Sequence, residues 1–386
     1  MSTIIGTGIS TKLDSLAAGK EAALNAYYNL GRYDPDIVIT FISTIFEQGE
    51  VIKGVKSVIK DTSLIGCSSI ATISTHGPMR NSVAVFAISS DSLGFSCGKN
   101  LRISQNPRAA SHKIAIEAAK STNKTKNIFL MFSDCLSGNG TDIIRGAQEL
   151  FGTSFPIIGG CATDEMLFQK TYQYLDNNVY TDSAVGLLVT GDMAKGIGSA
   201  SGWQPLGRPH SVTRARSNLI KEIDKKAASE IYQDYFEKSF EELKKERISR
   251  LGINYPIGLL ENKQKNQCAV RMPLRIEDDG TLVLSAEIEE GEDISLMIGD
   301  KDLVLDSAKK ACLEALGNIK NKTARFALVF SDIARLQLLR KDAREEIDVI
   351  KNILGKNIPI IGCYTCGEYA ESRFNNHDIT ITVFAE

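Results

Sequence analysis

Near its C-terminus the chain reads Gly362-Cys363-Tyr364-Thr365-Cys366-Gly367-Glu368, hydroxyls and a carboxylate set between two glycines. A glycine lets backbone amides come close to a ligand. A carboxylate beside it suits an ammonium or amidine, through charge-assisted hydrogen bonds. The alternative role for Glu368 is a turn residue paired with a neighbouring arginine. Cys363 and Cys366 form a C-x-x-C, but no second pair stands at zinc-like spacing, so packing as small hydrophobic thiols is the expected role. Asp134 and Asp332 recur at one place in two repeated segments, and Asp164-Glu165 follow a glycine pair. Such carboxylates suit a cation or acid–base chemistry. Each also precedes a helix or loop, where a carboxylate caps free N–H groups, and capping is the expected role.

Four histidines are present, His76, His112, His210 and His377. A haem needs an axial ligand in an apolar pocket. His112 falls on a predicted helix, which leaves His76, His210 and His377 as candidate axial ligands. The absence of C-x-x-C-H excludes covalent attachment. Enzyme signatures are thin: there is no G-x-S-x-G elbow, no P-loop and no G-x-G-x-x-G opening a helix. Cys67 or Cys161 as nucleophile would need a histidine base that sequence order does not supply. The expectation is a chain without catalytic activity, with a cysteine-dependent enzyme as the third-ranked reading.

The elements that must position these residues are written three times. PDIVITFIST (35–44), NIFLMFSD (127–134) and RFALVFSD (325–332) each lead through a helix to SLIGC (63–67), FPIIGGC (155–161) and IPIIGCYTC (358–366). The spacings Phe41 to Gly66, Phe132 to Gly159 and Phe330 to Gly362 are 25, 27 and 32 residues. A strand follows each copy, over 81–89, 183–190 and 378–385. One face of a first helix carries Leu16, Ala23, Tyr27 and Leu30; the third-cassette helix presents Ala343, Ile347, Ile350 and Leu354. The alternation predicts an α/β fold in two domains, each with a mixed sheet flanked by helices, with the three Gly-Cys segments at comparable strand ends. Ligand chemistry is expected along that edge. Gly, Pro and the sole tryptophan in 198–210 mark a domain seam, giving domains 1–210 and 211–386. Beyond it come a strand over 219–224, one long amphipathic helix over 227–245, and a meander turning at Asp278-Asp279-Gly280.

Composition sets the outer limits. A chain of 386 residues with 43% apolar content can fill two cores. A net charge of −2 gives no bulk attraction to nucleic acid or anionic lipid. No segment is apolar for long enough to span a bilayer, and the N-terminus does not read as a signal peptide. Eight cysteines, mostly in apolar elements, suit reduced thiols in a cytoplasmic protein.

Gly66-Cys67-Ser68-Ser69, Gly159-Gly160-Cys161-Ala162, Gly202-Trp203-x-Pro205-x-Gly207 and Val212-Thr213-Arg214-Ala215 together resemble the FIST N domain. Glu222-Ile223-Asp224, Val270-Arg271, Leu328-Val329-Phe330-Ser331, Arg335 and Gly362-x-Tyr364-Thr365-x-Gly367-Glu368 resemble the FIST C domain. The resemblance covers nearly the whole chain, with two departures: Phe374-Asn375-Asn376 where the family usually has Phe-His-Asn, and Asp332 where it has Cys. It implies a sensory module of intracellular signal transduction that binds a small ligand, an amino acid or similar metabolite. Its site would take Arg271, Arg335, Tyr364, Thr365, Glu368, Cys67 and Ser68, with an arginine on the ligand's carboxylate and Glu368 on its ammonium. A subset of the family binds haem and responds to nitric oxide, which makes haem the alternative cofactor. No F-box, kinase or cyclase segment is expected, so output would pass to a separate histidine kinase or cyclic-di-GMP enzyme.

Overall fold

The computed structural model describes residues 3–31, 33–120, 124–246, 248–262, 267–371 and 373–386. The first repeat runs β1 (Ile4–Ser10), α1 (Ser15–Asn29), β2 (Ile37–Ile42), α2 (Gln48–Ile59), β3 (Leu64–Ser68), a hairpin of β4 (Ala71–Ser74) and β5 (Gly77–Arg80), and β6 (Val83–Ser89). The second repeats that order: β7 (Gly94–Leu101), α3 (Pro107–Ala119), β8 (Lys126–Asp134), α4 (Gly140–Phe151), β9 (Ile157–Ala162), hairpin β10 (Gln173–Leu175) and β11 (Asn178–Tyr180), and β12 (Ser183–Thr190).

The third opens with β13 (Ala194–Ser201) and is interrupted by an insert. The insert holds β14 (Trp203–Arg216), β15 (Leu219–Ile223), β16 (Lys226–Ala227), α5 (Glu230–Phe236), α6 (Phe240–Glu246), α7 (Ile248–Asn254), β17 (Ile257–Asn262), β18 (Gln267–Arg271), β19 (Pro273–Ile276), β20 (Leu282–Leu284) and β21 (Asp293–Gly299). The repeat then resumes with α8 (Lys301–Asn318), β22 (Ala324–Asp332), α9 (Ile333–Leu339) and α10 (Ala343–Leu354). It closes with β23 (Ile360–Thr365), hairpin β24 (Glu368–Ala370) and β25 (Arg373–Asn375), and β26 (Asp378–Ala385).

Each repeat builds one mixed sheet of a single order: β1-β6-β2-β3, β7-β12-β8-β9 and β13-β26-β22-β23. In each, the two cassette strands are parallel and the others antiparallel. The α/β class with mixed sheets flanked by helices, built on a repeated cassette, is thus the observed one. The three Gly-Cys segments lie on β3, β9 and β23, in equivalent places.

Each hairpin leaves its own repeat. β10 pairs with β3, β24 with β9, and β4 with β23, so the second repeat completes the first, the third completes the second and the first completes the third. The seam expected between 210 and 211 falls inside β14.

The inner faces of the sheets meet at one point. Phe41, Phe132 and Phe330 stand at the same position on β2, β8 and β22, with ring centroids 5.5, 5.8 and 6.2 Å apart. The cassette glycines allow the parallel strands to lie this close: a Cβ on Gly66, Gly159 or Gly362 would fall 1.8, 2.2 or 1.6 Å from the carbonyl oxygen of Thr40, Met131 or Val329. Helices cover the outer faces. The α10 face of Ala343, Ile347, Ile350 and Leu354 is buried.

Two local expectations are corrected. Leu16 is 46% exposed, because α1 buries its small residues Ala18, Gly19, Ala22, Ala23 and Ala26 instead. The single long helix over 227–245 is broken into α5 and α6. Glu237 turns into the left-handed region at φ 51°, and Ser239 with Glu242 forms a capping box that starts α6.

Replacing Phe330 by Ala is expected to cost about 3–5 kcal/mol in urea unfolding, the range for an emptied aromatic core position. Leu13→Ala, at a residue 91% exposed, should change stability by under about 0.5 kcal/mol. Equal effects from the two would contradict the central aromatic contact.

Candidate functional site

The C-terminal ends of the parallel pair β22/β23 carry a buried polar cluster. Asp332 ends β22, Thr365 ends β23, Glu368 opens β24 and Asp378 opens β26, preceded by His377. All five are at most 4% exposed. Asp332 Oδ1 accepts from the Ala334 amide at 2.8 Å, the expected helix cap, here for α9. Thr365 donates to Glu368 Oε1 at 2.6 Å. Asp378 Oδ2 accepts from Asn375 at 3.0 Å and Ser199 at 3.2 Å. The second oxygens, Asp332 Oδ2, Glu368 Oε2 and Asp378 Oδ1, meet no hydrogen-bond partner among the described residues.

The other two repeats show what these positions do by default. Thr72, Gln173 and Glu368 each sit one residue before the hairpin partner of a cassette glycine. Ser43, Asp134 and Asp332 each lie two residues beyond a central phenylalanine, and Ser82, Ser183 and Asp378 lie opposite them at the start of the last strand. In the first repeat Thr72 and Ser82 hydrogen-bond at 2.9 Å and Ser43 donates to Glu165 at 2.7 Å. In the second, Ser183 donates to Gln173 at 2.7 Å. Asp134 there accepts on both oxygens, from the Leu136 amide and Thr171 on one and from Ser137 and the Asp182 amide on the other. Only the third repeat places carboxyls at all three positions, and it leaves an oxygen of each open.

Burial and the charges of Asp332 and Asp378 hold the Glu368 carboxyl well above its usual range. Burial likewise pushes Asp378 up to about 6. His377 feels the Asp332 charge and that of Arg335. Its Nε2 is 3.0 Å from the Ile253 carbonyl, which can only accept, so Nε2 carries the proton and Nδ1 is left as an open acceptor. Burial lowers its pKa and keeps the ring neutral.

The structure sorts the residues singled out in the sequence. Thr365 and Glu368 come together as described. Arg335 is fully buried but closed: its guanidinium pairs with Glu346 at 2.8 Å and donates to the Val304 carbonyl at 2.8 Å. Tyr364 alternates with Thr365 along β23 and therefore points to the other face, toward Arg335 and Glu346, where its hydroxyl meets no partner among the described residues. Arg271 ties the insert to the hairpin, donating to the Phe374 carbonyl at 3.1 Å and to Asn375 Oδ1 at 3.3 Å, and Asn375 in turn donates to Asp378. Ser68 bridges the Thr163 carbonyl and the Tyr172 amide at 2.9 and 3.0 Å. Cys67 packs against Cys363, and burial pushes its thiol far up; Cys161 is pushed to about 12, so neither is poised as a thiolate. Cys366 packs instead near Cys135 and Met272, so the two cysteines of the C-x-x-C face different neighbours.

His76 is exposed at the β4–β5 turn, and His210 pairs with Asp224 at 2.7 Å. His377 stands edge-on to Trp203 with centroids 4.8 Å apart, so a haem on His377 would have to displace the tryptophan. Among the described residues no group of three or more His, Cys, Asp or Glu is placed to hold a metal ion.

A carboxyl whose pKa is raised by folding binds its proton more tightly in the native state. Its contribution is most favourable below about pH 3.8, the unfolded value, and is lost as pH rises through about 6. Urea unfolding should therefore show Asp378→Asn gaining on the wild type by about 2 kcal/mol between mildly acidic and mildly alkaline pH. Parallel pH profiles for the two proteins would show that Asp378 is an ordinary carboxylate.

Among the described residues no helix is long and apolar enough to cross a membrane. An uncharacterized protein of Methanocaldococcus jannaschii is 26% identical over 306 residues, 73% of this chain and 58% of the relative, so the chain spans under two thirds of that relative's length. A cyanuric acid hydrolase structure from A. caulinodans matches 100% of this chain and 99% of its own at 8% identity and a TM-score of 0.36. A chorismatase structure matches 100% of both at 9% identity and a TM-score of 0.38. The expectation of a chain without catalytic activity is withdrawn, because these end-to-end matches are to enzymes; likeness this distant says nothing of a reaction here. The family models match in tandem, the FIST N domain over residues 36–226 and the FIST C domain over 228–371. The chain belongs to the FIST family, whose domains are sensory domains of signal transduction.

Proposed function

We propose that this FIST protein senses a small polar ligand in the carboxyl cluster of the third repeat and passes the event, through the insert, to a partner protein. One observation carries the reading: three buried carboxyl oxygens are left open at positions that the other two repeats close internally. An unpaired buried polar group costs roughly 1–3 kcal/mol, more if charged, and such a cost persists where a site needs the group. A second feature suits a sensor. The cluster is closed to solvent, and what closes it includes the insert, through Trp203, the Ile253 carbonyl and Arg271. A molecule entering there must shift those contacts, and the shift is the signal. The partner, a histidine kinase or cyclic-di-GMP enzyme in the reading from family resemblance, would engage the insert.

The test is a thermal-shift screen of the full chain against amines, amino acids, organic acids and sugars. A ligand that binds only the folded state at about 100 times its Kd adds about 2.7 kcal/mol, an easily read rise in Tm. Glu368→Gln and Asp332→Asn should each remove the response while remaining folded. A ligand that stabilises both variants as well as the wild type would place the sensory site elsewhere.

A further inference from the structure

We infer, building on the ligand reading above, that the cluster is a receptor for the ammonium group of a small primary amine. The donor count fits. A primary ammonium presents three N–H donors and no acceptor, and the cluster offers three open carboxyl oxygens, from Asp332, Glu368 and Asp378, with His377 Nδ1 as a fourth acceptor. These atoms come from the ends of three different strands, and Glu368 feels the charges of both Asp332 and Asp378. The charge fits as well, since the three open oxygens meet no cation among the described residues. Arg335 is felt at Asp378 but is paired with Glu346 and reaches the cluster only at the His377 carbonyl, at 3.5 Å, and Arg271 donates to the Phe374 and Glu287 carbonyls.

The same facts argue against a zwitterion. An amino acid would need a cation for its carboxylate, and the arginine beside the cluster already has a carboxylate partner at 2.8 Å. A metal ion is a poorer match, because among the described residues no group of three or more His, Cys, Asp or Glu is placed close enough to ligate one, whereas an ammonium is held at the longer distances of hydrogen bonds. Around the site stand Asp332 at the end of β22, Arg335 on α9 paired with Glu346 of α10 behind it, Thr365 at the end of β23, Cys366, and Glu368 on β24. Ser199 on β13, Trp203 on β14 and His377 before β26 complete the lining, with Asn375 relaying Arg271.

Binding carries a proton balance. In the empty site Glu368 holds its proton, because burial and two neighbouring carboxylates oppose ionisation. When an ammonium enters, that carboxyl ionises to accept its hydrogen bond and its proton leaves to solvent; at about pH 6 and below, Asp378 releases its proton as well. No bond in the ligand changes. Apparent affinity therefore rises with pH, by up to about tenfold per pH unit, for as long as the amine stays protonated.

The probes are four molecules with one carbon skeleton: butylamine, 2-aminobutyrate, butyrate and butanol, titrated into the full chain by calorimetry at about pH 6 and about pH 8. Butylamine should bind, more tightly at the higher pH and with proton release seen as a dependence of heat on buffer. The other three should bind at least about tenfold more weakly. Asp378→Asn and Glu368→Gln should each weaken butylamine by about tenfold or more, and Glu368→Gln should abolish the proton release at about pH 8, where Asp378 is already ionised. Ser183→Ala, at the equivalent position of the second repeat, should leave affinity unchanged, and circular dichroism checks that all variants fold. Absence of butylamine binding, equal binding of butyrate or aminobutyrate, or affinity flat with pH would each overturn the inference. If the wider screen then yields a non-amine ligand that Glu368→Gln abolishes, the sensory reading stands without it.

Discussion

Three phenylalanine rings touching at the middle of the molecule fix the distances of everything around them. Phe41, Phe132 and Phe330 come from equivalent points of three parallel strand pairs, and their edge-to-face contacts leave little freedom in how the sheets approach. Side chains alternate along a strand, so the next inward residues beyond the rings are Ser43, Asp134 and Asp332. The aromatic contact thus decides that polar groups at these positions lie buried at a common level, where water cannot serve them and the protein must. Glycine at 66, 159 and 362 is a condition of the same geometry, since any side chain there would drive the paired strands apart.

Threefold repetition separates duties that a single copy would have to combine. Two repeats close their strand ends with short hydroxyl and amide contacts, and they hold the scaffold whatever happens in the third. The third can then keep carboxyls partly unpaired, a local cost offset by the packing of the rest. The buried Arg335–Glu346 pair belongs to the supporting side of this division. It joins α9 to α10 behind the cluster, and breaking one member would leave an uncompensated buried charge.

Much of this was legible in the residues. The apolar cassettes gave the parallel strands, the glycines marked the second strand of each pair, and Thr365 and Glu368 stand in the cluster because one ends a buried strand and the other follows it. Asp332 was read as a cap, and it is one; that a single carboxyl can cap with one oxygen and face a cluster with the other depends on its rotamer. Asp378 carried no local signal, and its role follows from pairing with β22, a register visible only once the strands are aligned. Arg335 looked available for a ligand because its partner Glu346 lies eleven residues away on another helix, an association set by packing. The break between α5 and α6 was written plainly as Ser239-x-x-Glu242, but the helical periodicity on either side concealed it.

The exchange of hairpins among the repeats has a consequence for how the chain comes to be folded. β4 and β5 leave the first repeat and find their partner on β23, and the Ile360 amide donates to Thr75 across 285 residues of sequence. During synthesis the first sheet lacks its outer strands until the second repeat has emerged, and the third cannot admit the first hairpin until β23 has been made. Contacts of such long range favour slow, late closure over stepwise maturation from the N-terminus. Until then the hairpin exposes an unpaired edge that could equally be taken by β23 of a second chain. The ring of three sheets is thus closed by a contact between its first and third repeats, and a nascent chain can make that contact only once β23 has left the ribosome.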